Sequence, residues 1–349
     1  MAGNIVSWAN KDNFNRAKTL SLTDDTFTNS GIVNLQQLGS TGTAVNLGRN
    51  LTMQLSGTNG FTNSNRLLIL NSTPDISTAD QFAQFTMNSG ATLENGSDAA
   101  IAINNSASGT ANSDYAQYAR LTVSDGATFT NSGSITVSLD AAVTDDAQHY
   151  ATLLIGADWT NNGVITVNRA NKTTAVASLD LPDKAYTQTG ADAVTRLLSG
   201  GQLNAASVTI SEGLLGGNGV ISAVATISDG ATLDPDGTLT PTSLTLDAGS
   251  ILNFSLTDLD LLNITGNLTL SGATLNLTDS EVSTGIYSIA NYGTLTDGYA
   301  LTVSGLSDEY TYELDFITDS TIRLTVIPEP ATWVLLLTGA LTLAALRRR

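Results

Sequence analysis

Phe129-Thr130-Asn131-Ser132-Gly133-Ser134-Ile135-Thr136-Val137 carries the pattern on which the fold turns. An aromatic residue, small polar residues and a Ser-Gly step lead into a segment where apolar and polar residues alternate. That period of two belongs to a half-buried strand. The phrase recurs as Phe27-Thr28-Asn29-Ser30-Gly31-Ile32-Val33-Asn34-Leu35, as Met87-Asn88-Ser89-Gly90-Ala91-Thr92-Leu93 and as Trp159-Thr160-Asn161-Asn162-Gly163-Val164-Ile165-Thr166-Val167. A related turn, Ser124-Asp125-Gly126-Ala127-Thr128, returns as Ser228-Asp229-Gly230-Ala231-Thr232. Asn-Gly, Asp-Gly and Ser-Gly steps tolerate the positive φ of tight turns, so each copy reads as a turn followed by a strand. In the later half the recurrence tightens to about 20 residues, the scale of solenoid rungs. Rungs stacked about 4.8 Å apart pair every strand edge except those at the two ends. The expected fold is all-β, a parallel β-helix.

Residues 186–284 sharpen that expectation. They contain Tyr186-Thr187-Gln188-Thr189-Gly190, Leu214-Leu215-Gly216-Gly217-Asn218-Gly219-Val220-Ile221 and Gly230-Ala231-Thr232-Leu233-Asp234-Pro235-Asp236-Gly237. Leu244-Thr245-Leu246-Asp247-Ala248-Gly249-Ser250-Ile251-Leu252 follows, then the stretch from Leu261-Leu262-Asn263 to Gly272-Ala273-Thr274-Leu275. In this order the phrases resemble the passenger-associated β-strand repeats of autotransporter-like proteins, and the resemblance implies a right-handed β-helix. It stops short of an autotransporter: only about 50 residues separate Leu277 from the last segment of the chain. That is too few for a membrane β-barrel of strands of about 10 residues each, so self-translocation is out.

Before this stretch, residues 1–185 read as irregular β-solenoid repeats. After it, residues 285–326 read as a capping strand group, with Ile286-Tyr287-Ser288-Ile289 and Ile322-Arg323-Leu324-Thr325-Val326 as its clearest members. Terminal units of a solenoid must hide their apolar face, and Tyr287, Tyr292, Tyr299, Tyr310 and Tyr312 supply bulk for that. Stacking of glycans on those rings is the functional alternative.

The formal charge is −18, from 14 Lys+Arg against 32 Asp+Glu, and no Lys or Arg lies between Arg196 and Arg323. Nucleic acid and anionic lipid are therefore poor partners for the main body. Such acidity suits a secreted surface, including one that collects divalent cations. With no cysteine, disulfides, thiolate zinc sites and a Cys nucleophile are excluded. The single histidine, His149, lies in the polar run Asp145-Asp146-Ala147-Gln148-His149-Tyr150 and reads as solvated, and a lone His excludes the usual catalytic zinc site. Nucleophile elbow, phosphate loop and dinucleotide fingerprint are all missing. Asp234 and Asp236, in Asp-Pro-Asp-Gly, are the one Ca²⁺ candidate. They lack the other ligands of a defined loop, and the four residues already suffice as a turn. No cofactor is otherwise expected. The rival to a structural role is a β-helix polysaccharide lyase or glycoside hydrolase, which needs converging carboxylates and a cation. Arg120, Arg169, Lys172, Lys184 and Arg196 are the cations available to line such a groove.

The last segment, residues 327–349, supplies an address. Pro328-Glu329-Pro330 is followed by an uncharged apolar run containing Trp333, Val334, Leu335, Leu336, Leu337, Leu341, Leu343 and Leu346, then by Arg347, Arg348 and Arg349. The prolines favour an extended approach. The apolar run is slightly short of the roughly 20 residues of a spanning helix, and snorkelling arginines make spanning feasible. Positive charge stays cytoplasmic, which leaves the body on the far side of the membrane. A buried C-terminal helix is the alternative, disfavoured by three terminal charges with no polar face before them. Pro-Glu-Pro, apolar segment and Arg cluster together resemble the PEP-CTERM sorting signal of Gram-negative bacteria, over about the last 23 residues. The resemblance implies an inner-membrane anchor, cutting near Pro-Glu-Pro by an exosortase, and delivery to the envelope or to an extracellular polysaccharide (biofilm) matrix. Export also calls for an N-terminal signal, yet residues Met1 to Leu20 show no apolar core, so the start of the protein is expected upstream or the tail is its sole membrane segment. The functional expectation is a non-enzymatic surface or matrix protein, or adhesin, whose hydroxyl and carboxylate rows face glycans or cations.

Overall fold

The computed structural model describes residues 6–10, 18–22, 26–38, 50–72, 80–107, 116–141, 143, 148–279, 282–316 and 320–329. Within them the regular structure is all β, with no helix, and so no helix long and apolar enough to cross a membrane. The transmembrane helix expected after Pro330 lies outside the described residues.

The chain winds in turns of three strands. Gln117–Val123, Thr128–Asn131 and Ser134–Leu139 form one turn. Each pairs in parallel with its counterpart in the next turn, His149–Ile155, Trp159–Asn161 and Val164–Asn168. Each also pairs in parallel with its counterpart in the turn before, Gln81–Met87, Thr92–Asn95 and Ala100–Asn105. Three parallel faces result, numbered here in chain order within a turn. Later strands are longer and bend across two faces: Val176–Gln188 serves the first and second, with a register shift between Leu181 and Ala185.

Period-two patterning produces this arrangement. Gln81–Met87 alternates buried and half-buried residues along its whole length, as does Ile32–Leu38 over the residues whose side chains are described. Identical chemistry stacks from turn to turn: Leu35, Ile69, Ile103, Val137 and Val167 are successive buried partners on the third face. Branched side chains fit the pleat and exclude water between the faces. On the second face the rings of Phe129 and Trp159 lie parallel with centroids 5.1 Å apart, and Tyr186 comes next at 5.8 Å from Trp159.

The turn shortens along most of the chain and lengthens again at its end. Leu67 and its partner Ile101 are 34 positions apart, Ile135 and Ile165 are 30, Leu215 and Leu233 are 18, and Leu268 and Leu295 are 27. The extra length of the early turns falls mainly between third and first faces: residues 106–116 make that connection once and residues 199–201 make it later.

The repeated turn phrase keeps its geometry and changes its place. Ser124 to Ala127 links first and second faces, whereas Ser228 to Ala231 links second and third. In both, the alanine N–H donates to the serine carbonyl, at 3.1 and 3.0 Å, and the glycine sits at φ +77° or +76°. Gly133 and Gly163, in the Asn-Ser-Gly and Asn-Asn-Gly steps, depart from the expected positive φ. They are small because turns approach closely there: a Cβ on either would lie 2.2 Å from the carbonyl oxygen of Gly96 or Gly133, respectively.

At the far end the direction reverses. Gly285–Asn291 continues the first face in parallel, then Thr321–Pro328 pairs with it antiparallel, and Tyr310–Asp315 pairs antiparallel outside that. Tyr292 is buried against this group and donates its hydroxyl to the Phe316 carbonyl.

Candidate functional site

The second face is the narrowest, with strands such as Phe27–Asn29, Thr128–Asn131 and Trp159–Asn161. In these three strands an inward aromatic and an inward amide bracket one outward position, and at that register the residue is nearly always threonine along the whole face. In the early turns it is Thr28, Thr62, Glu94, Thr130 and Thr160. In the later ones it is Thr187, Thr209, Thr226, Thr245, Thr269 and Thr296. Thr28, Thr130, Thr160 and Thr296 are exposed and the other threonines half-buried. Two positions earlier in each strand the outward residues vary: Thr92, Thr128, Ser207, Val224, Ser243 and Asn267.

Beneath the early part of this rank runs a buried amide ladder. Asn29 donates to Asn63, Asn63 to Asn95, Asn95 to Asn131 and Asn131 to Asn161, each from Nδ2 to Oδ1 at 2.7–2.8 Å. Asn29, Asn63 and Asn95 spend their second N–H on a backbone carbonyl (Arg66, Ala100 and Ser134). Asn161 ends the chain of bonds by turning Nδ2 to the Gly163 carbonyl. Gln188 takes the next position and donates to the carbonyls of Ala193, Glu212 and Leu214. Its Oε1 accepts from the Thr195 hydroxyl, which also bonds the Tyr186 hydroxyl. Burial pushes the Tyr186 pKa up against the lowering effect of its hydrogen bonds to Thr195 and Asn161. After this junction the position becomes Ile210, Ile227 and Leu246.

The residues singled out by sequence are spread widely. Pro328 closes the last strand opposite Tyr310, and the Glu329 N–H donates to the Glu309 carbonyl at 2.8 Å. The approach to the tail is thus extended, as expected, but paired. Pro330, Trp333, Val334, Leu335, Leu336, Leu337, Leu341, Leu343, Leu346 and Arg347 to Arg349 lie outside the described residues. Asp234 faces outward and accepts from Arg196 at 3.2 Å, while Asp236 belongs to the turn that ends in Gly237. No group of three or more His, Asp or Glu able to hold a metal ion occurs among the described residues. His149 needs a correction: it is wholly buried, not solvated. It begins the strand His149–Ile155 in register with Gln117, and the alternation of that strand turns it inward.

The cations also stand apart. Arg120 is on the first face, donating to Gln84 at 3.0 Å with its guanidinium 5.5 Å from the Tyr118 ring centre. Arg196 is on the third face. Arg169 and Lys172 bind the carbonyls of Ala175 and Ala141 beside the connection between third and first faces. Acids do gather in two grooves. One, of about 580 Å³, is lined by Asp192, Glu212 and Asp229, and another, of about 520 Å³, by Asp279, Glu309 and Tyr310. Neither groove is lined by the five cations. Asp279 is occupied in holding residues 255–257: it accepts from the Ser255 and Thr257 hydroxyls and the Leu256 N–H. Burial pushes its pKa up, and donation from Thr257, Leu256 and Ser255 outweighs burial, so the net shift is downward. Asp260, on the inner side of the same loop, accepts from the Gly237 and Ser255 N–H groups, yet burial prevails and raises its pKa.

The tyrosines offered as glycan platforms divide. Tyr292 is buried, Tyr287 donates to the Ser283 carbonyl, Tyr310 is half-buried and Tyr312 is exposed, while the Tyr299 side chain lies outside the described ones. The threonine rank escaped sequence reading because its members are separated by 17 to 36 positions, and only strand register aligns them. No family model matches the chain, and no curated protein matches it significantly.

Proposed function

We propose that the chain is an exported, non-enzymatic structural protein or adhesin of the cell surface or extracellular matrix, built as a right-handed β-helix. In this reading the Pro-Glu-Pro, apolar and Arg segments hold it in the inner membrane until an exosortase cuts near Pro330. The released body then stands in the polysaccharide matrix as a stiff rod.

The observation that carries the reading is continuity. Parallel pairing passes without a break from Val6–Asn10 to Thr294–Ser304, and the antiparallel end group finishes at Pro328, where the sorting-like segment begins. A body of coils sharing one interior resists bending, because each turn is hydrogen-bonded to both neighbours along its length. Its acidity disfavours anionic partners and leaves neutral glycans and cations.

The test is the intact mass and C-terminal peptide of the protein recovered from fractions of its native host. A chain ending near Pro330 outside the inner membrane is the expected result. An intact apolar tail on a cytoplasmic protein would sink the proposal.

A further inference from the structure

We infer that the second face is a track for one unbranched, uncharged polysaccharide chain lying along the coil axis. The inference rests on the matrix reading above and adds to it a face and a ligand class. Its basis is the threonine rank. Every turn from Thr28 to Thr296 presents threonine at one register position, with Glu94 the exception. The hydroxyls of Thr130, Thr160, Thr187, Thr209 and Thr226 have no partner among the described residues, so their donor and acceptor capacity faces outward.

Geometry selects the ligand. Successive hydroxyls repeat with the strand spacing of about 4.8 Å, close to the advance per sugar of an extended pyranose chain, so short runs of sugars keep register with the rank. Each threonine offers a hydroxyl to a sugar hydroxyl and a methyl to the C–H face of the ring. One rank is regular while its neighbour mixes Thr128, Ser207, Val224 and Asn267. That asymmetry suits a one-dimensional polymer; a two-dimensional lattice such as ice requires a second regular rank.

Charge narrows the choice further. Glu94 stands in the rank, Glu212, Asp229 and Asp247 lie in the turns beside it, and no Lys or Arg occurs between Arg196 and Arg323. A polyuronate would be repelled. A single hydroxyl contact gains little over water. Linked contacts along a long chain add through effective concentration, so long glycans bind and short oligosaccharides compete poorly.

The test is affinity electrophoresis of the full chain through gels containing hydroxyethyl cellulose or an unbranched polygalacturonate. The wild type is expected to be retarded by the neutral polymer alone. The triple variant Thr130→Val, Thr160→Val and Thr187→Val keeps shape and β-branching and should lose affinity about tenfold, whereas Ser at the same positions keeps most of it. Thr136→Val with Thr166→Val, outward on the third face, should change nothing. Circular dichroism confirms folding of each variant, and the serine variant carries the test if the valine variant fails to fold: its loss of retardation would count against the track. No retardation of the wild type, or equal retardation of a folded valine variant, overturns the inference. Inhibition of ice recrystallisation without polysaccharide binding also overturns it, in favour of a lattice ligand. Fractionation of the native host judges export separately: an exported, cleaved chain that no glycan retards refutes the track and leaves the matrix reading standing.

Discussion

The early and late turns solve one problem with different chemistry. From Phe27 to Gln188 the second face closes its inner corner with stacked amides, and the turns are long. From Ile210 to Leu270 the same position is aliphatic, and Leu215 and Leu233 are only 18 positions apart. An amide ladder needs every member, because each carboxamide is both donor and acceptor for its neighbours. An aliphatic column tolerates substitution position by position, since burial is non-directional. The change happens once, at Tyr186, Gln188 and Thr195, where a polar junction satisfies the last amide before the apolar column starts.

The largest expected effect breaks the ladder in the middle. Asn131→Leu strips one Asn95 N–H of its acceptor and leaves the Asn161 side-chain oxygen with the Gly163 N–H as its donor. The orphaned N–H and the misfit of a branched leucine in the amide column cost about 1–3 kcal/mol each, roughly 2–6 kcal/mol together, read as a lower urea midpoint at unchanged slope. Replacing all five asparagines by leucine leaves no side-chain amide half-paired, but it also takes the acceptors from the Gly31 and Gly163 N–H groups and should cost at least as much as the single change. If the single change proves neutral, the ladder contributes nothing and the contrast between the two regions fails. The mirror experiment, Ile227→Asn, places one amide between Ile210 and Leu246 and should be similarly harmful.

Glycines sharpen the contrast in the short turns. A Cβ on Gly217, at φ +103°, would lie 2.1 Å from the Leu197 carbonyl oxygen, while one on Gly230, at φ +76°, meets nothing within 4 Å. Gly217→Ala combines left-handed strain with overpacking and should cost about 3 kcal/mol or more. Gly230→Ala carries the strain alone, about 1–2 kcal/mol. Thermal midpoints of the two variants rank them, and equal shifts would mean that the turns have slack.

Much of the fold could be read from residues such as Phe129 to Val137, because strand alternation and turn chemistry are local. What stayed hidden was register. Asn131 and Asn161 looked like turn formers beside glycine; their burial depends on partners some 30 positions away. The same blindness covered His149, whose polar neighbours in sequence are not its neighbours in space. Ser124 and Ser228 begin identical turns at different corners, so a turn phrase specifies a bend without saying which faces it joins. Thr130 and Thr160 read as ordinary strand residues until pairing aligned them into a rank.

A smaller effect comes from the late loop at residues 255–260, which has two carboxylates of opposite pH behaviour. Asp279 has a lowered pKa, so its contribution is present above the unfolded carboxylate value and disappears as pH falls through the folded one. Asp260 has a raised pKa, so its contribution is full at low pH and diminishes as pH rises through the folded value. Asp279→Asn should therefore flatten the acid side of a stability-versus-pH curve. Asp260→Asn should flatten the rise in stability that protonation of this buried carboxyl gives on descending toward acid. Urea midpoints measured across the carboxylate range test both, and identical curves for the two variants would contradict the opposed shifts.

The smallest effect concerns the ion pair of Arg196 and Asp234, which reaches across a whole turn. Arg196 is in register with Gly216 and Gly216 with Asp234, so the side chains meet at 3.2 Å because the intervening residue has none. Both partners are partly exposed, at 38% and 24%, so solvent screens the attraction. A double-mutant cycle of Arg196→Ala and Asp234→Ala should give a coupling of about 0–1 kcal/mol that fades at molar salt. A coupling well above that range would mean that the short turns, too, are held by a specific polar contact. The distinction between an amide-laddered half and a packing-held half would then apply to the interior of the coil and not to its outer surface.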